Sequence, residues 1–143
     1  MQTSENGVAF IKANEGFTAK PTNDNGHLMW GYGHDQRAGE AISDLGITLP
    51  EADALLAADL SEYFEPHVTA LAPWANQNQF DALVDFAYNE GPAALAVMLH
   101  HGEGEVTRQM AAWCYEHVNG VLQVSPGLAA RRAKEIALYG TQD

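Results

Sequence analysis

Hydrophobic and polar positions follow two different patterns along the chain. Between Glu15 and Gly46, Gly, Asn and Thr concentrate and the apolar residues do not recur at helical spacing. From Pro50 onward Ala and Leu dominate, and apolar residues recur every three or four positions, as on one face of a helix. The pattern predicts a small, turn-rich lobe followed by a larger helical lobe.

The N-terminal part is predicted to be a short helix followed by a β-hairpin. Residues 8–14 favour a helix that ends at Glu15-Gly16, because glycine commonly terminates helices. Asn25-Gly26 is a strong hairpin signal, since both central residues of a type I′ turn need positive φ. The apolar residues that follow alternate as in a strand and are Leu28, Trp30 and Tyr32.

Capping signals predict where the later helices begin. Thr48 with Glu51, and Asn76 with Gln79, each have the spacing of a capping box. Pro66 is expected to kink or break the first of these helices. Gly91-Pro92 is expected to end the second. Shorter helices are predicted over residues 93–100 and 105–116, and a last helix from Ser125-Pro126 to about Tyr139.

Composition and charge narrow the function classes. The 143 residues are 46% hydrophobic, which predicts one globular domain, and no run of eighteen apolar residues predicts a membrane span. The formal net charge of −12 argues against nucleic acid and anionic membranes as partners, because both bind clustered Lys and Arg. With Cys114 as the one cysteine, no internal disulfide is possible.

Two carboxylic acids in contrasting surroundings are the candidate chemistry. Glu15 closes a helix among apolar neighbours, where desolvation would raise its pKa and keep it protonated, as a general acid requires. Asp24 lies beside the predicted Asn25-Gly26 turn, where water would keep it ionised, as a base requires. Both residues also have ordinary alternatives: Asp24 as a turn residue and Glu15 as a solvated surface residue.

Three motifs, in order, resemble glycoside hydrolase family 24, the phage-type lysozymes. The first is Glu15-Gly16, a hairpin, then Gly31-Tyr32-Gly33-His34. The second, over residues 77–91, is similar to that family's mid-chain helix and the turn after it. The third comprises Trp113, Gly120, Pro126-Gly127-Leu128, Arg131-Arg132 and Glu135. The resemblance covers about residues 8–140.

The resemblance implies a fold and a reaction. The fold would be α+β and mainly α, a two-lobed lysozyme-like domain over residues 1–143. Residues 15–49 would form the hairpin lobe, and residues 50–143 with helix 8–14 the helical lobe. The reaction would be hydrolysis of the β-1,4 bond between N-acetylmuramic acid and N-acetylglucosamine, with inversion. Glu15 matches the family's acid and Asp24 its base, and no metal or organic cofactor is implied.

The sequence departs from the family in the hairpin. The family usually carries a threonine two residues before the first glycine of the Gly-x-Gly-His motif, and here that position is Met29. Thr22, His27 or a backbone group are the candidates to replace its hydroxyl. Because the hairpin is one residue shorter, counting back from Gly31 places Asn23 rather than Asp24 in the family's aspartate position.

Further site residues are predicted from the same motifs. Tyr88, Asn89 and Tyr32 are expected to bind substrate, with a helix C-cap as the alternative for Asn89. His34 is expected to anchor the hairpin to the helical lobe. Cations near a helix N-terminus are unfavourable, so Arg131 and Arg132 are expected to have a specific carboxylate partner, for which Glu15 is a candidate. The alternative is a surface ion pair with some other acidic residue.

The remaining expectations concern partners and location. Bacterial peptidoglycan is the expected partner, and the chain is expected to be a monomer. Residues 1–7 lack the features of a signal peptide, which predicts synthesis in the host cytoplasm and action on the wall, in the periplasm, after release. Two alternatives stay open: a lytic transglycosylase that uses Glu15 alone, and a non-catalytic peptidoglycan-binding or phage structural module.

Overall fold

The computed structural model describes residues 1–24 and 26–142, without the side chain of Asp24. The helices are α1 Glu5–Glu15, α2 Leu49–Asp59, α3 Glu65–Leu71, α4 Gln77–Glu90, α5 Pro92–Leu99, α6 Val106–Ala111 and α7 Pro126–Tyr139. The strands are β1 Thr18–Asp24, β2 His27–Gly31, β3 His34–Asp35, β4 Tyr115–Val118 and β5 Val121–Val124. The predicted class, mainly α with small antiparallel sheets, is confirmed.

The helical part is built around α4. Every residue from Phe80 to Ala87 in this helix is buried, and α1, α3, α5 and α7 all pack against it. Its apolar side chains form one core with residues such as Ile11 of α1 and Val68 of α3. Within the described residues, no helix is both long enough and apolar enough to cross a membrane.

The predicted helix starts are confirmed by their caps. Thr48 with Glu51, and Asn76 with Gln79, form capping boxes in which side chain and backbone hydrogen bonds are exchanged in both directions. The Ser125 hydroxyl accepts a hydrogen bond from the backbone N–H of Leu128 and caps α7.

The predicted break at Pro66 takes the form of a π-helical turn. Residues Leu60–Phe64 form this turn between α2 and α3, and the backbone N–H of Glu65 donates to the Leu60 carbonyl, five residues back. Because a proline in a helix lacks an N–H and crowds the preceding turn, the wider turn lets the helix continue. α2, the π turn and α3 thus form one continuous helical run from the small lobe to the core.

The small lobe is a three-stranded antiparallel sheet in the order β1-β2-β3. The β1–β2 pairing places Thr22 opposite Met29 and Asp24 opposite His27, which confirms the hairpin, although Asn25 lies outside the described residues. Gly26 has φ 89°, as a tight turn requires. Strand β2 ends at Gly31, so Tyr32, expected to continue the strand, lies in the turn before β3.

The helix predicted over residues 105–116 is wrong in its second half. Helix α6 stops at Ala111, and β4 begins at Tyr115 and pairs with β5. The two strands meet at Asn119-Gly120, whose φ values are 50° and 77°. These are the positive φ values of a type I′ turn, and they favour a hairpin over a continuing helix.

Candidate active site

Glu15 is the last residue of α1 and lies where the helical part meets the small sheet. Gly16 follows with φ 71°, so the chain leaves the helix at this point and enters β1. The Glu15 side chain is only 16% exposed. A carboxyl group is therefore held, largely desolvated, at the junction of the two parts.

The surroundings of Glu15 raise its pKa above the ordinary value for glutamic acid. Burial is the largest cause, because it penalises the charged form. The Arg131 guanidinium opposes this by charge attraction and a hydrogen bond, whereas the negative charges of Asp85 and Asp35 add to the increase. Glu15 thus keeps its proton to a higher pH than an exposed glutamic acid would.

Arg131 connects Glu15 to the core of the helical part. Its Nη1 lies 2.7 Å from Glu15 Oε1. Its Nε and Nη2 donate to the two Asp85 oxygens at 3.0 and 2.9 Å, in a bidentate pair. Burial lowers the pKa of Arg131, but these carboxylates outweigh burial and the net shift is upward. The predicted carboxylate partner of Arg131 thus includes Glu15, and the buried Asp85 holds the guanidinium in place.

Arg132 performs a similar task for the end of α4. It donates to Glu90 at 2.8 Å, to the Asn89 side-chain oxygen at 2.7 Å and to Glu135 at 2.7 Å. Its guanidinium also lies 4.8 Å from the ring centre of Phe86. Because Arg132 occupies the Asn89 oxygen, the side-chain NH₂ of Asn89 is the group available for another ligand.

Gly33 packs directly against the Glu15 carboxyl group. A Cβ atom at Gly33 would lie 2.5 Å from Glu15 Oε2, and the residue has φ 75°. Both the close approach and the positive φ require glycine. The second glycine of the Gly-x-Gly-His motif therefore makes room for the carboxyl group.

Gly33→Ala is expected to displace the Glu15 carboxyl group from Arg131. Positive φ alone should lower the free energy of unfolding by about 1–2 kcal/mol. Urea unfolding measures the loss of stability. NMR titration of Glu15 measures its displacement from Arg131, which lowers the pKa of Glu15. Gly104→Ala is the matched control, because Gly104 has open space around its Cβ position and should change neither quantity appreciably. An unchanged Glu15 titration in Gly33→Ala would contradict the prediction.

His34 joins the small sheet to α2, as expected for an anchoring residue. Its Nδ1 lies 2.5 Å from Asp59 Oδ2, and its Nε2 lies 2.9 Å from Glu40 Oε2. Arg37 also contacts the buried Asp59. Burial of the ring lowers the pKa of His34, but the hydrogen bonds and charges of Asp59 and Glu40 outweigh burial, and the net shift is upward.

His34→Gln is expected to destabilise the protein more at pH 6 than at pH 9. A histidine whose pKa is raised on folding contributes stability that is fully present below its unfolded pKa of about 6.5 and is lost as the pH rises through the folded value. Urea unfolding of both proteins at the two pH values gives the comparison. An equal loss at pH 6 and pH 9 would show that the imidazolium is not the stabilising species.

Two neighbouring cavities lie along this junction. The Glu15 cavity has a volume of about 380 Å³. It is lined by Glu15, His27, Met29, Gly33, Asp35, Tyr88 and Asn89. The second, the π-turn cavity, has a volume of about 540 Å³ and is lined by residues of the π turn, of β3 and of the segment after it. Gly33, Asp35 and Tyr88 line both, so the two cavities form a continuous cleft.

The predicted substrate-binding residues separate into two groups. Tyr88 and Asn89 both line the Glu15 cavity. Tyr32 lines neither cavity: its ring packs 5.7 Å from the Phe17 ring centre, with the Lys12 ammonium over it. Its carbonyl instead accepts a hydrogen bond from the Tyr88 hydroxyl at 2.5 Å. The alternative role considered for Asn89, a helix C-cap, is wrong, because α4 continues to Glu90 and its C-cap is Gly91.

The hairpin residues proposed around the second carboxylate are only partly described. The backbone of Asp24 ends β1 opposite His27, and its side chain lies outside the described residues. The Asn23 side chain accepts a hydrogen bond from the Gly26 N–H at 2.9 Å, as a turn residue does. The Thr22 hydroxyl donates to the Met29 carbonyl at 3.4 Å and does not line the Glu15 cavity.

Three acidic residues of the junction were not predicted from the sequence: Asp35, Asp59 and Asp85. Asp85 lies between Val84 and Phe86 in a helix whose residues are buried on all sides. An acidic residue in such an apolar run is a usable signal, because a buried carboxylate needs a partner. The sequence gave no comparable signal for Asp35, since a charged residue next to His34 is ordinarily predicted to lie on the surface.

Comparison with known proteins places the whole chain in one group. The sequence model of the family Phage lysozyme matches residues 12–135. The endolysin of Bacillus phage PZA is 35% identical over 99% of this chain, which spans 56% of that endolysin. The endolysin of Acyrthosiphon pisum secondary endosymbiont phage 1 is 32% identical, over 97% of this chain and 98% of its own length.

A solved structure gives the same grouping. The muramidase domain of SpmX from Asticaccaulis excentricus superposes with a TM-score of 0.86 at 34% identity. The match covers 99% of each chain. The chain thus has the length of the SpmX muramidase domain, and also that of the short endolysin of the endosymbiont phage. It spans little more than half of the PZA endolysin.

Proposed function

The chain belongs to the phage lysozyme family of enzymes, and on that premise we propose that it is a muramidase. It hydrolyses the β-1,4 bond between N-acetylmuramic acid and N-acetylglucosamine in bacterial peptidoglycan. One observation carries the assignment: Glu15, buried and with a raised pKa, lines a cleft between the sheet and the helical part. A carboxyl group that keeps its proton to a higher pH than an exposed one, next to open space, suits general acid catalysis.

Glu15 is proposed to protonate the glycosidic oxygen as the bond breaks. Arg131 contacts Oε1 of Glu15. Oε2 lies against Gly33, where the absence of a side chain leaves this oxygen uncrowded. Arg131 limits the rise of the pKa and fixes the carboxyl orientation. Arg131 and Arg132 are thus proposed as positioning residues for Glu15 and for Asn89, respectively.

Asp24 is proposed as the base that activates water on the opposite side of the sugar ring. Support comes from its place nine residues after Glu15 and from its pairing with His27, which lines the Glu15 cavity. Inversion requires the two carboxyl groups to be about 6.5–9.5 Å apart, so that a water molecule fits between them and the anomeric carbon.

The rest of the cleft suits a glycan. Tyr63, Phe64 and Tyr88 line the π-turn cavity and offer apolar ring surface. Asn89 offers a side-chain NH₂ to the Glu15 cavity, which suits the carbonyl of an acetamido group. Tyr32 is proposed to act indirectly, because its carbonyl holds the Tyr88 hydroxyl.

The wider biology is proposed on the same basis. The partner is peptidoglycan, the chain acts as a monomer, and it is made in the host cytoplasm and acts on the periplasmic cell wall after release. Its charge of −12 opposes approach to an anionic wall at neutral pH. Protonation of the carboxylic acids below about pH 4–5 would weaken that repulsion.

A second candidate, a lytic transglycosylase, is favoured by one observation. Met29 lines the Glu15 cavity at the position where the family usually carries a threonine. Without a held water, the same acid would yield a 1,6-anhydro sugar end.

The proposal is tested by digesting purified Gram-negative peptidoglycan at pH 4–8 and weighing the products by mass spectrometry. Products with reducing ends would support a muramidase. Products with anhydro ends, which are lighter by one water, would support a transglycosylase. Absence of soluble product would support a binding module.

A further inference from the structure

A second acidic residue, Asp35, lies in the Glu15 cavity together with Glu15 itself. Asp35 ends β3, two residues after Gly33, which touches the Glu15 carboxyl group. Two residues of chain span at most about 7 Å, so Asp35 starts close to the proposed acid. Both acidic side chains line the same cavity, and Asp35 extends into the π-turn cavity as well.

The strand register places Asp35 directly beside Met29. Met29 of β2 and Asp35 of β3 are paired residues in an antiparallel ladder. Such residues project their side chains to the same face of the sheet, with Cβ atoms about 4.5–5.5 Å apart. The carboxylate therefore lies next to the position at which the hydroxyl of the family's threonine is missing.

The Asp35 carboxylate is available as a hydrogen-bond acceptor. Within the described residues no ion pair or side-chain hydrogen bond to Asp35 is formed, in contrast to Asp59, which is bound by His34 and Arg37. Its negative charge acts across the cavity, since it contributes to the raised pKa of both Glu15 and Tyr88.

The other candidates for the missing hydroxyl fit less well. Thr22 points its hydroxyl at the Met29 carbonyl and lies outside the cavity. His27 lines the cavity but is paired with Asp24 at the tip of the hairpin, two residues before Met29. Asp35 alone among them combines the cavity with direct pairing to Met29.

We propose that Asp35 holds the attacking water in this enzyme, taking the place of the absent hydroxyl. The inference rests on the proposed muramidase function. The water oxygen bonds to the anomeric carbon while one of its protons passes to Asp24, and the bond from that carbon to the glycosidic oxygen breaks. The glycosidic oxygen takes the proton of Glu15. Asp35 accepts a hydrogen bond from the water throughout and exchanges no proton.

The test compares Asp35→Ala, Asp35→Asn and the control Asp44→Ala. Asp44 is an exposed acid of the same lobe that lines neither cavity. With purified peptidoglycan and release of reducing ends as the readout, Asp35→Ala should lower kcat about 10–100-fold with little change in KM, because a misplaced nucleophile costs rate rather than binding. Asp35→Asn keeps an acceptor oxygen and should recover most of the rate. Asp44→Ala should match the wild type.

A compensating substitution separates this role from a structural one. Adding Met29→Thr to Asp35→Ala should raise kcat at least tenfold over Asp35→Ala alone. Met29→Thr in the wild-type background should change kcat little. Thermal unfolding of each variant checks that the fold is kept.

Each of the following results would overturn the proposal. Asp35→Ala as active as Asp44→Ala would make Asp35 a bystander, and full activity of Asp35→Ala with loss in His27→Ala would assign the water to His27. Asp35→Asn as slow as Asp35→Ala would show that the negative charge, rather than an acceptor oxygen, is what matters. A wild type that forms no product overturns the muramidase and Asp35 proposals together, whereas an active wild type with active Asp35→Ala overturns only the latter.

Discussion

Glu15→Gln is expected to lower the rate of peptidoglycan hydrolysis by about 10²–10⁴-fold, the range that general acid catalysis contributes. Glutamine keeps the size of the side chain and an oxygen for Arg131, but it has no proton to give to the leaving oxygen. The measurement is release of reducing ends at several pH values. Glu116→Gln, on the exposed strand β4, removes the same charge away from the cleft and should leave the rate unchanged.

The same substitution has the opposite effect on stability. Because the folded-state pKa of Glu15 is raised, its protonated form is favoured in the folded protein, and stability is lost as the pH rises through that pKa. Glutamine resembles the protonated form. Glu15→Gln should therefore be at least as stable as the wild type at pH 7, with the difference vanishing below pH 4. A variant that is inactive and also less stable at pH 7 would contradict this account.

Asp24→Asn is expected to lower activity less than Glu15→Gln. The acid is required whatever activates the water, whereas a water that Asp35 holds beside Met29 can still attack, more slowly, without its base. Equal losses in the two variants would argue that Asp24 is as indispensable as Glu15.

The fold was largely predictable because its signals are local. Capping boxes at Thr48 and Asn76 and the Ser125-Pro126 cap fix the helix starts within a few residues. The hairpin at Asn119-Gly120 carried the same signal as Asn25-Gly26, but the apolar run before it has few residues and suits a helix or a strand equally. Short apolar runs leave that choice to the turn, and the turn was decisive here.

The site was only partly predictable because it depends on pairing between distant segments. Glu15 and Arg131 are 116 residues apart and meet at 2.7 Å, which the unfavourable position of two arginines near a helix start indicated. Asp35 differs: its relation to Met29 depends on the β2–β3 register, which follows a two-residue turn at Tyr32-Gly33. A one-residue slip in that register would place Asp35 on the other face of the sheet.

Arg131→Met is expected to reduce the free energy of unfolding by about 3–5 kcal/mol, the cost of leaving a buried charge without its partner. The Arg131 side chain is 10% exposed, and Asp85, to which it makes a bidentate pair, is fully buried. Without the guanidinium, Asp85 keeps the Asn14 side chain at 3.3 Å and a hydrogen bond with Glu135. Urea unfolding at pH 7 gives the magnitude.

Two variants frame this result. Arg131→Lys should lose an intermediate amount, because one ammonium cannot donate to both Asp85 oxygens and to Glu15 at once. Arg108→Met removes an arginine whose ion pair with Glu105 is mostly exposed, and it should cost less than about 1 kcal/mol. If Arg131→Met costs no more than Arg108→Met, the buried network does not stabilise the fold.

The pH dependence of Arg131→Met identifies the carboxyl groups involved. Arg131 lowers the pKa of Glu15 and of Glu135, so its removal should raise both further. Carboxyl groups with raised folded-state pKa values are destabilising only above their unfolded values, so the stability loss should shrink between pH 7 and pH 4. For the same reason the alkaline limit of any remaining activity should move to higher pH, since Glu15 then holds its proton longer. A stability loss that is equal at both pH values would assign the role of Arg131 to packing rather than to charge.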